Sequence, residues 1–398
     1  MRESAPAEAP GGPAKSIFIS AGEASGDWAG ALLAQALRRQ GGALDLRGVG
    51  GRRMREAGVH LIADSSTWGV IGLLSVLPKL PAAYSTRFRV HSEWRANPPT
   101  AVVLIDCGPF NMPLARIAKG LGVPVIYYLP PGSWSRRPRG GHLREVADVI
   151  ATPFPWSRDN LAGGHARVEC VGHPAAESVR PAMSPEEAYR HYSLDPGRPV
   201  VALAPGSRAQ ELGSLLPVLA RAGVLLQGSF PGAQFLLPVA PSVDADRVRA
   251  HLRQQGLHAI LLSGMEYDAL QLAQAAAVCS GTATLEFACL RVPMAVVYRA
   301  STAVAVQWLI RSVRSRQRFV GLPNIIAGRQ VVPELLGRAA SPEGIAAALG
   351  SFLHDEGLRA TMRRDLDEVA ATLDGPGASN RTAALILETI AARGTGGE

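Results

Sequence analysis

The sequence predicts an α/β protein with two doubly wound domains that face a cleft. A chain of 398 residues is too long for one ordinary hydrophobic core, which favours two domains. Residues 16–21 form a β-rich run that leads into a glycine turn at residues 22–27 and then into an amphipathic helix. The same order of elements recurs from residues 200–204 and 205–208 onwards. Such units build parallel sheets whose ligands bind at the carboxyl ends of the strands.

Changes in composition divide the chain into segments. Residues 1–15 are mainly Ala, Pro, Gly and Glu, which predicts a flexible tail rather than a signal peptide. Residues 176–198 are polar and contain proline, which predicts a linker with a short helix. We therefore expect an N-terminal domain over residues 16–175 and a second domain over residues 199–345. The amphipathic helices of residues 346–398 are expected to pack back across the domains.

The chain carries a formal net charge of +8, which raises the question of an anionic partner. Its arginines are scattered, aromatic residues make up only 6%, and we find no RNA- or DNA-binding motif. We therefore expect no nucleic-acid partner. Anionic lipid or a phosphorylated substrate explains the positive charge equally well.

Four widely spaced cysteines, Cys107, Cys170, Cys279 and Cys289, form no Cys-x-x-Cys pair. They predict reduced thiols in a cytoplasmic protein, and we expect no metal site and no cofactor. No apolar run in the sequence reaches the roughly 18 to 20 residues that a membrane span requires, so we expect the chain not to cross a bilayer.

A candidate site in the first domain lies where predicted strands end. Asp106 follows the apolar strand at residues 101–105 and is the leading candidate for a general base, the alternative being an Asx turn. Glu23 and Ser25 lie in the first glycine turn and would face the same crevice. The alternative for this turn is that Ser25 or Asp27 caps the following helix.

A second candidate site lies at the turn Ser280-Gly281-Thr282, which leads into a short helix. A helix N-terminus presents backbone N–H groups and a positive dipole end, and can therefore hold a diphosphate. Glu286 lies about one helical turn further on, where its carboxylate could accept hydrogen bonds from ribose hydroxyls. The alternative is an ordinary capped helix, with Thr282 or Thr284 as the cap.

Further polar residues of the second half fit a phosphate site. Arg208, in the second glycine turn, suits bidentate contact with phosphate. Asn324 and Arg329 lie among apolar neighbours, which favours a site over a solvated face. His173 closes the first half of the chain and is either catalytic or a hydrogen-bonded hinge residue.

An apolar segment interrupted by prolines precedes three cations, Arg87, Arg89 and Arg95. This pattern suits an element that enters a membrane interface or holds acyl chains. A core helix with a solvated basic face is the alternative. The apolar side chains expected to face the acceptor or the membrane include Trp68, Ile71, Leu73, Leu74 and Leu77.

Several blocks of sequence, in this order and spacing, resemble the lipid-A-disaccharide synthase family over about residues 16–390. Ile105 and Asp106, followed by Phe110 and Asn111, form one of them. The others are residues 21–27, 48–58, 172–174, 205–211, 280–286, 293–299 and 322–336. The resemblance implies a GT-B type glycosyltransferase, an architecture of two Rossmann-like domains that face a cleft.

The resemblance also implies a reaction and a location. The family joins UDP-2,3-diacylglucosamine to 2,3-diacylglucosamine 1-phosphate by inversion and without a metal, giving a β-1,6-linked disaccharide and UDP. The implied partners are the UDP-sugar donor, an acylated or lipid-linked sugar acceptor and the inner-membrane surface. The protein would be cytoplasmic and peripheral on the cytoplasmic face of the inner membrane, and a homodimer is left open.

Carried over residue by residue, the resemblance assigns roles to the candidate residues. Asp106 would deprotonate the acceptor hydroxyl, with Glu23 and Ser25 lining the crevice beside it and Asn111 facing the acceptor. The residues implied to bind the UDP-sugar are Gly206, Ser207, Arg208, Ser280, Gly281, Thr282, Thr284, Glu286, Tyr298, Arg299, Asn324 and Arg329.

The chain departs from the family pattern in the N-terminal half. Gly108 and Pro109 stand where the family has a proline and a second carboxylate. Arg136 replaces an aromatic residue, and Pro155 replaces a glutamate. These departures leave two alternatives open: a related glycosyltransferase with another lipid acceptor, and a non-catalytic protein that binds a UDP-sugar or lipid. The apolar segment argues against a UDP-sugar 2-epimerase, since a soluble sugar nucleotide needs no acyl-binding surface.

Overall fold

Two parallel β-sheets, with helices packed against their faces, form the framework of the protein. The computed structural model describes residues 15–65, 80–136, 141–240, 243–299, 318–373, 375 and 377–394. The predicted α/β fold with two doubly wound domains is confirmed.

The first sheet has the strand order β3-β2-β1-β4-β5-β6-β7, with every pair parallel. The order reverses between β1 and β4, where Ala21 pairs with Ile105. Such a reversal opens a crevice at the carboxyl ends of the two strands. The strands are β1 (Lys15–Ala21), β2 (Leu44–Gly50), β3 (His60–Asp64), β4 (Ala101–Ile105), β5 (Val125–Tyr128), β6 (Val149–Thr152) and β7 (Arg167–Cys170).

Helices lie between these strands along the chain. They are α1 (Ala24–Gly41), α2 (Arg52–Glu56), α3 (Leu80–Ala96), α4 (Gly108–Gly120), α5 (Leu143–Val146) and α6 (Pro155–Leu161). Helices α1, α2, α4 and α6 begin within three residues of the preceding strand. Along β4 successive side chains enter different apolar clusters: Val103 and Ile105 pack with α1, whereas Val102 and Leu104 pack with α4. The strand is therefore buried on both faces, which explains its continuous apolar sequence.

The second sheet repeats this plan with the order β10-β9-β8-β11-β12-β13. Its order reverses between β8 and β11, where Ala204 pairs with Val278. The strands are β8 (Val200–Ala204), β9 (Gln234–Val239), β10 (Ile260–Ser263), β11 (Ala275–Cys279), β12 (Met294–Tyr298) and β13 (Glu334–Leu336). The remaining helices are α7 (Ala175–Ser178), α8 (Pro185–His191), α9 (Ala209–Ser229), α10 (Ala245–Gln255), α11 (Tyr267–Leu270), α12 (Ala283–Cys289), α13 (Leu322–Ala327), α14 (Pro342–His354), α15 (Glu356–Thr372) and α16 (Ala378–Gly394).

Among the described residues, one helix passes the length and composition test for a membrane span, although the sequence analysis expects no such run. Helix α9 has 21 residues and a mean hydropathy of 1.2 over its most apolar window. Leu215, Leu219 and Leu226 on this helix are buried in the core of the second domain. This apolar face is explained by packing against protein, so the test is weak evidence for a span.

The chain crosses between the two domains twice, and His173 lies at the crossing. Its backbone N–H donates to the carbonyl of Leu373 (3.1 Å), and its Nδ1 accepts from the N–H of Ala175 (3.1 Å). Burial lowers the pKa of His173 to about 4, so the ring is neutral at pH 7. Of the two interpretations of this residue, the hinge is the one that the contacts support.

Helix α16 returns to the first domain. Its residues Ala383, Ile386 and Ile390 pack in the same apolar cluster as Leu33 and Leu37 of α1. The Glu177 carboxylate of α7 accepts hydrogen bonds from the N–H groups of residues 377 and 379 (3.1 Å each) just before and within the first turn of α16. A carboxylate in this position satisfies donors that a helix start leaves open.

Asp27 also caps a helix, but not the one that contains it. Its carboxylate accepts from the N–H groups of Gly51 (2.7 Å), Arg53 (3.1 Å) and Met54 (3.0 Å), at the start of α2. Asp27 therefore has the capping role that the sequence analysis gave as an alternative. The helix that it caps is not its own and begins 24 or more residues further along the chain. Local sequence cannot reveal a cap supplied by a neighbouring element.

Candidate active site

Asp106 lies directly after β4, at the reversal of strand order in the first sheet. Its φ is +44°, and that of Cys107 is +42°. Two successive non-glycine residues in the left-handed region are strained, by about 1 kcal/mol or more each, and such strain is concentrated at functional sites. The turn therefore holds the Asp106 side chain in an unusual position at the mouth of the crevice.

Two side chains hold this strained turn. The Asn111 amide donates to the carbonyls of Ile105 and Asp106 (both 2.9 Å) and accepts from the Ser20 hydroxyl (2.6 Å). The Tyr127 hydroxyl donates to the same Asp106 carbonyl (2.7 Å). Asn111 is predicted above to face the acceptor, and in the structure its side chain is 0% exposed. The Asn111 side chain stabilises the turn from inside the protein, since a buried amide needs all its hydrogen-bond partners there.

The surroundings of Asp106 weaken its acidity. Burial, and after it the negative charge of Glu23, raises its pKa to about 6, against the lowering effects of the Cys107 N–H and the Arg208 cation. A carboxylate with this pKa is ionised at pH 7 and is a stronger base than an ordinary aspartate. Asp106 therefore has the protonation state and the basicity that a general base requires.

Arg208 reaches Asp106's side of the cleft from the second domain. It precedes α9 and forms ion pairs with Glu23 across the cleft and with Glu211 one turn into α9 (2.6 Å). Burial acts to lower the pKa of Arg208, but the charges of Glu23 and Glu211 outweigh it and the net shift is upward. The guanidinium is therefore a permanent cation between the two reversal points.

The turn before Arg208 has a steric requirement for glycine. Gly206 has a φ of +99°, and a Cβ on it would lie 2.5 Å from the Glu211 carboxylate. Its neighbour Ser207 is exposed. The close approach of this turn to Glu211 fixes the start of α9 and the direction of Arg208.

The turn at residues 280–282 follows β11 and leaves room above its glycine. Gly281 has a φ of +153°, and no atom of the described residues lies within 4 Å of a Cβ built on it. Ser280 donates to the carbonyl of Val320 (3.2 Å). Thr284 is fully buried and donates to the carbonyl of Gly281 (2.7 Å), so its side chain helps to shape the turn. Thr282 is the N-cap residue of α12 without a side-chain cap bond among the described residues, which argues against the capped-helix alternative.

Glu286 is nearly buried in α12, where its carboxylate accepts from the Tyr267 hydroxyl (2.6 Å). Burial raises the pKa of Glu286, against the opposing effects of Tyr267 and the cation of Arg53. Arg53 belongs to α2 of the first domain, so both domains contribute to the surroundings of Glu286. Tyr298 ends β12 half-buried, and the exposed Arg299 follows it.

Asn324 and Arg329, both predicted to bind the donor, make contacts within the protein. Asn324 is 0% exposed; it donates to the Val332 carbonyl and the Glu334 carboxylate (2.8 Å each) and accepts from the N–H groups of Val331 (2.7 Å) and Val332 (2.9 Å). The side chain of Arg329 is 48% exposed and pairs with two acidic residues of α15, Asp365 (2.9 Å) and Glu368 (2.8 Å). These contacts show how the two side chains are held within the protein, and their role in binding the donor stays a prediction.

Glu334 is a residue that the sequence analysis missed. Its carboxylate accepts from the N–H groups of Val320 (3.0 Å) and Gly321 (2.9 Å) as well as from Asn324. It thereby ties the segment before α13 to the edge strand β13. The only local signal was a single acidic residue at the start of an apolar strand.

Arg136, a departure from the family pattern, joins the two domains. Its guanidinium lies over the Trp156 ring, 4.4 Å from the centroid, and donates to the carbonyl of Ile326 near the end of α13 (2.5 Å). Trp156 stacks on Phe154 with the ring centroids 4.7 Å apart. An arginine suits this place because it can stack on a ring and neutralise a helix C-terminus at once.

The predicted membrane-facing element is described only in part. Trp68, Ile71, Leu73, Leu74 and Leu77 lie outside the described residues. The helix that follows, α3, exposes two aromatic side chains one turn apart, Tyr84 (69%) and Phe88 (67%). Arg87 lies over the Tyr84 ring, 5.3 Å from its centroid.

Comparison with known proteins places the chain in a family. The family model described as lipid-A-disaccharide synthetase matches residues 17–388. The chain belongs to the lipid-A-disaccharide synthase family. The lipid-A-disaccharide synthase of Geobacter metallireducens is 38% identical over 95% of this chain and 98% of its own length. That of Coxiella burnetii (strain RSA 331) is 35% identical over 94% of this chain and 99% of its own length.

Solved structures confirm the architecture. The MnaA–UDP complex of S. aureus superposes with a TM-score of 0.61 at 14% identity, covering 92% of this chain and 94% of that one. The calicheamicin glycosyltransferase CalG4 gives a TM-score of 0.59 at 14% identity, covering 96% and 99%. At this identity the likeness concerns the fold alone. Family membership identifies this lipid-A-disaccharide synthase relative as a glycosyltransferase with a role in lipid A biosynthesis.

The structural role of Asn324 leads to a prediction about stability. Replacing Asn324 with Ala leaves two buried N–H groups and a carboxylate without this partner, which we expect to lower the free energy of unfolding by about 2–4 kcal/mol. Urea unfolding measures the change. The matched control is Asn380→Ala, because Asn380 is exposed and its loss should stay within about 0.5 kcal/mol. Equal losses in the two variants would contradict the assignment.

Proposed function

We propose that this protein transfers the sugar of UDP-2,3-diacylglucosamine to the hydroxyl of 2,3-diacylglucosamine 1-phosphate with inversion, giving lipid A disaccharide and UDP. The proposal rests on family membership for the substrates. The observation that carries the chemistry is the strained turn that presents Asp106, with its raised pKa, opposite Arg208.

In this reaction Asp106 removes the proton from the attacking acceptor hydroxyl. The hydroxyl oxygen forms its bond to the anomeric carbon on the face opposite the departing diphosphate, which inverts the configuration. Because the pKa of Asp106 is about 6, the carboxylate is ionised at pH 7 yet basic enough to accept the proton as the bond forms.

The second domain would hold the donor. As the bond to the sugar breaks, negative charge grows on UDP, and the Arg208 cation can stabilise it. The open space above Gly281 admits the diphosphate next to the start of α12. Glu286, buried at the end of the same turn, is placed to bind the ribose hydroxyls.

A related enzyme with another lipid acceptor is the second candidate, and the residues beside Asp106 favour it. Gly108 and the exposed Pro109 provide no second carboxylate at the start of α4. Arg136, in the acceptor half, reaches across to the carbonyl of Ile326 in the second domain. Both differences change the acceptor half of the cleft and leave the donor half as the family has it.

We also propose that the protein is peripheral on the inner membrane, with α3 on the lipid surface. Tyr84 and Phe88 provide aromatic side chains suited to the interface. Arg87, Arg89 and Arg95 on the same helix provide cations for anionic headgroups. Its one acidic residue, Glu93, is paired with Arg47 (3.2 Å).

Asp106→Asn tests the catalytic proposal and separates an enzyme from a non-catalytic binder. The amide cannot take a proton, so we expect disaccharide formation to fall by about 100- to 10,000-fold while UDP binding is kept. Product is measured with the two diacylated substrates by mass spectrometry. UDP binding without any disaccharide from the unaltered protein would exclude the proposed reaction and favour another acceptor or a binder.

Arg208→Ala and Arg329→Ala form a matched pair for the donor site. Loss of the Arg208 cation should weaken UDP binding by about 10- to 100-fold, the usual range for a charge-assisted contact. Arg329 is already paired with Asp365 and Glu368, so its loss should change the affinity by less than about twofold. Isothermal titration calorimetry measures both. A comparable loss of affinity in the two variants would indicate that Arg329 binds the donor as well.

Vesicle binding tests the membrane proposal. Tyr84→Ser combined with Phe88→Ser should reduce co-sedimentation with phosphatidylglycerol vesicles by about tenfold or more, because two interfacial side chains are lost. Leu358→Ser is the control, since this exposed apolar residue lies on α15. If the double variant bound vesicles as tightly as the control did, α3 would not be the lipid-facing surface.

A further inference from the structure

The turns that carry Glu23 and Asp106 touch each other. They follow the paired residues Ala21 and Ile105 at the ends of β1 and β4. A Cβ on Gly22 would lie 2.3 Å from the Cys107 sulfur, so the two turns are in contact without space between them. The register of the sheet therefore keeps the Glu23 carboxylate on the same side of the crevice as Asp106.

The same Glu23 carboxylate occupies Arg208. One terminal nitrogen of the guanidinium pairs with Glu23, and the other pairs with Glu211. A diphosphate needs these outward-facing donors for bidentate contact. A diphosphate that contacts both terminal nitrogens therefore competes with these two carboxylates for the guanidinium.

Glu23 is the partner that can yield. The Glu211 side chain is 8% exposed, lies on the same helix as Arg208 and also accepts from the Arg208 backbone N–H (3.3 Å). The Glu23 side chain is 29% exposed, belongs to the other domain and is hydrated as soon as the pair opens. A diphosphate carries more charge than a carboxylate and competes directly for the same cation.

We propose that Glu23 is a positioning residue which the donor diphosphate displaces from Arg208, so that donor binding frees the Glu23 carboxylate beside Asp106. This inference rests on the proposed function. Arg208 then has two successive partners, first Glu23 and then the diphosphate. The donor binds first and the acceptor second. Before the donor binds, the Glu23–Arg208 pair spans the place of the diphosphate.

The displacement also changes the charge around Asp106. The groups that act on this carboxyl are Glu23 from the turn after β1, the adjoining Cys107 N–H, and Arg208 from the second domain; Tyr127 of β5 binds the Asp106 carbonyl. Once the diphosphate takes the positive charge of Arg208, the repulsion from Glu23 is no longer offset. The ionised form of Asp106 is then less favoured, its pKa rises, and proton transfer from the acceptor becomes easier.

UDP titration of the unaltered protein, Glu23→Gln and the surface control Glu56→Gln tests the displacement. The glutamine variant has no ion pair to break and no repulsion toward the diphosphate, so UDP should bind about tenfold more tightly than to the unaltered protein. The control, whose residue is exposed and paired with Arg52, should bind as the unaltered protein does. Weaker or equal binding by Glu23→Gln would overturn the displacement.

Carbon-13 NMR of the Asp106 carboxyl, identified by its loss in Asp106→Asn, tests the effect on the base. In the presence of saturating UDP, Asp106 should titrate about one pH unit higher in the unaltered protein than in Glu23→Gln. Glu23→Asp keeps the charge and should restore at least half of this difference. Identical titrations in the unaltered protein and Glu23→Gln would overturn the second part of the inference.

Both measurements use UDP alone, so they are independent of the acceptor. An unaltered protein that makes no disaccharide but meets both expectations would refute the proposed substrates and keep the inference. An unaltered protein that binds no UDP would refute both.

Discussion

Arg208 carries its charge into a half-buried position between two carboxylates that belong to different domains. A buried cation of this kind is stable only when paired, and one of its partners is therefore supplied from across the cleft. The pairing draws the ends of the two sheets together at the places where each strand order reverses. Glu23, Glu211 and Asp106 are the candidate carboxylates that lie around this contact.

The buried amides and the carboxylates at this site have different roles. Asn111 and Asn324 use their donors and acceptors entirely within the protein, one under the Asp106 turn and the other between α13 and β13. Such amides fix backbone that has no regular partners. The carboxylates of Asp106 and Glu23 keep their oxygens toward the crevice. Because the buried amides hold the backbone rigidly, Asp106 can occupy a strained turn and Glu23 can lie close to another carboxylate.

The departures from the family pattern named in the sequence analysis lie in the N-terminal half of the chain. Arg136 stacks on Trp156 and reaches Ile326 of the second domain, a contact that an aromatic residue could not make through charge. Pro155 begins the short helix that carries Trp156. These changes form one connected group, from the loop after β5 through α6 to α13.

The sequence alone determined the fold class, both glycine turns, Asp106 at the end of β4, and Arg208 before α9. These features are local: a parallel strand buried on both faces is continuously apolar, and the turn after it begins within a few residues. The tertiary structure alone decided the partners. Asp27 caps α2 rather than its own helix, Arg329 pairs with α15, and Asn324 and Asn111 turn inward. A polar residue among apolar neighbours looks the same in sequence whether it binds a ligand or closes a gap between distant elements. Only packing decides between these roles, because a stretch of sequence does not show which helix, strand or turn will lie against a given side chain.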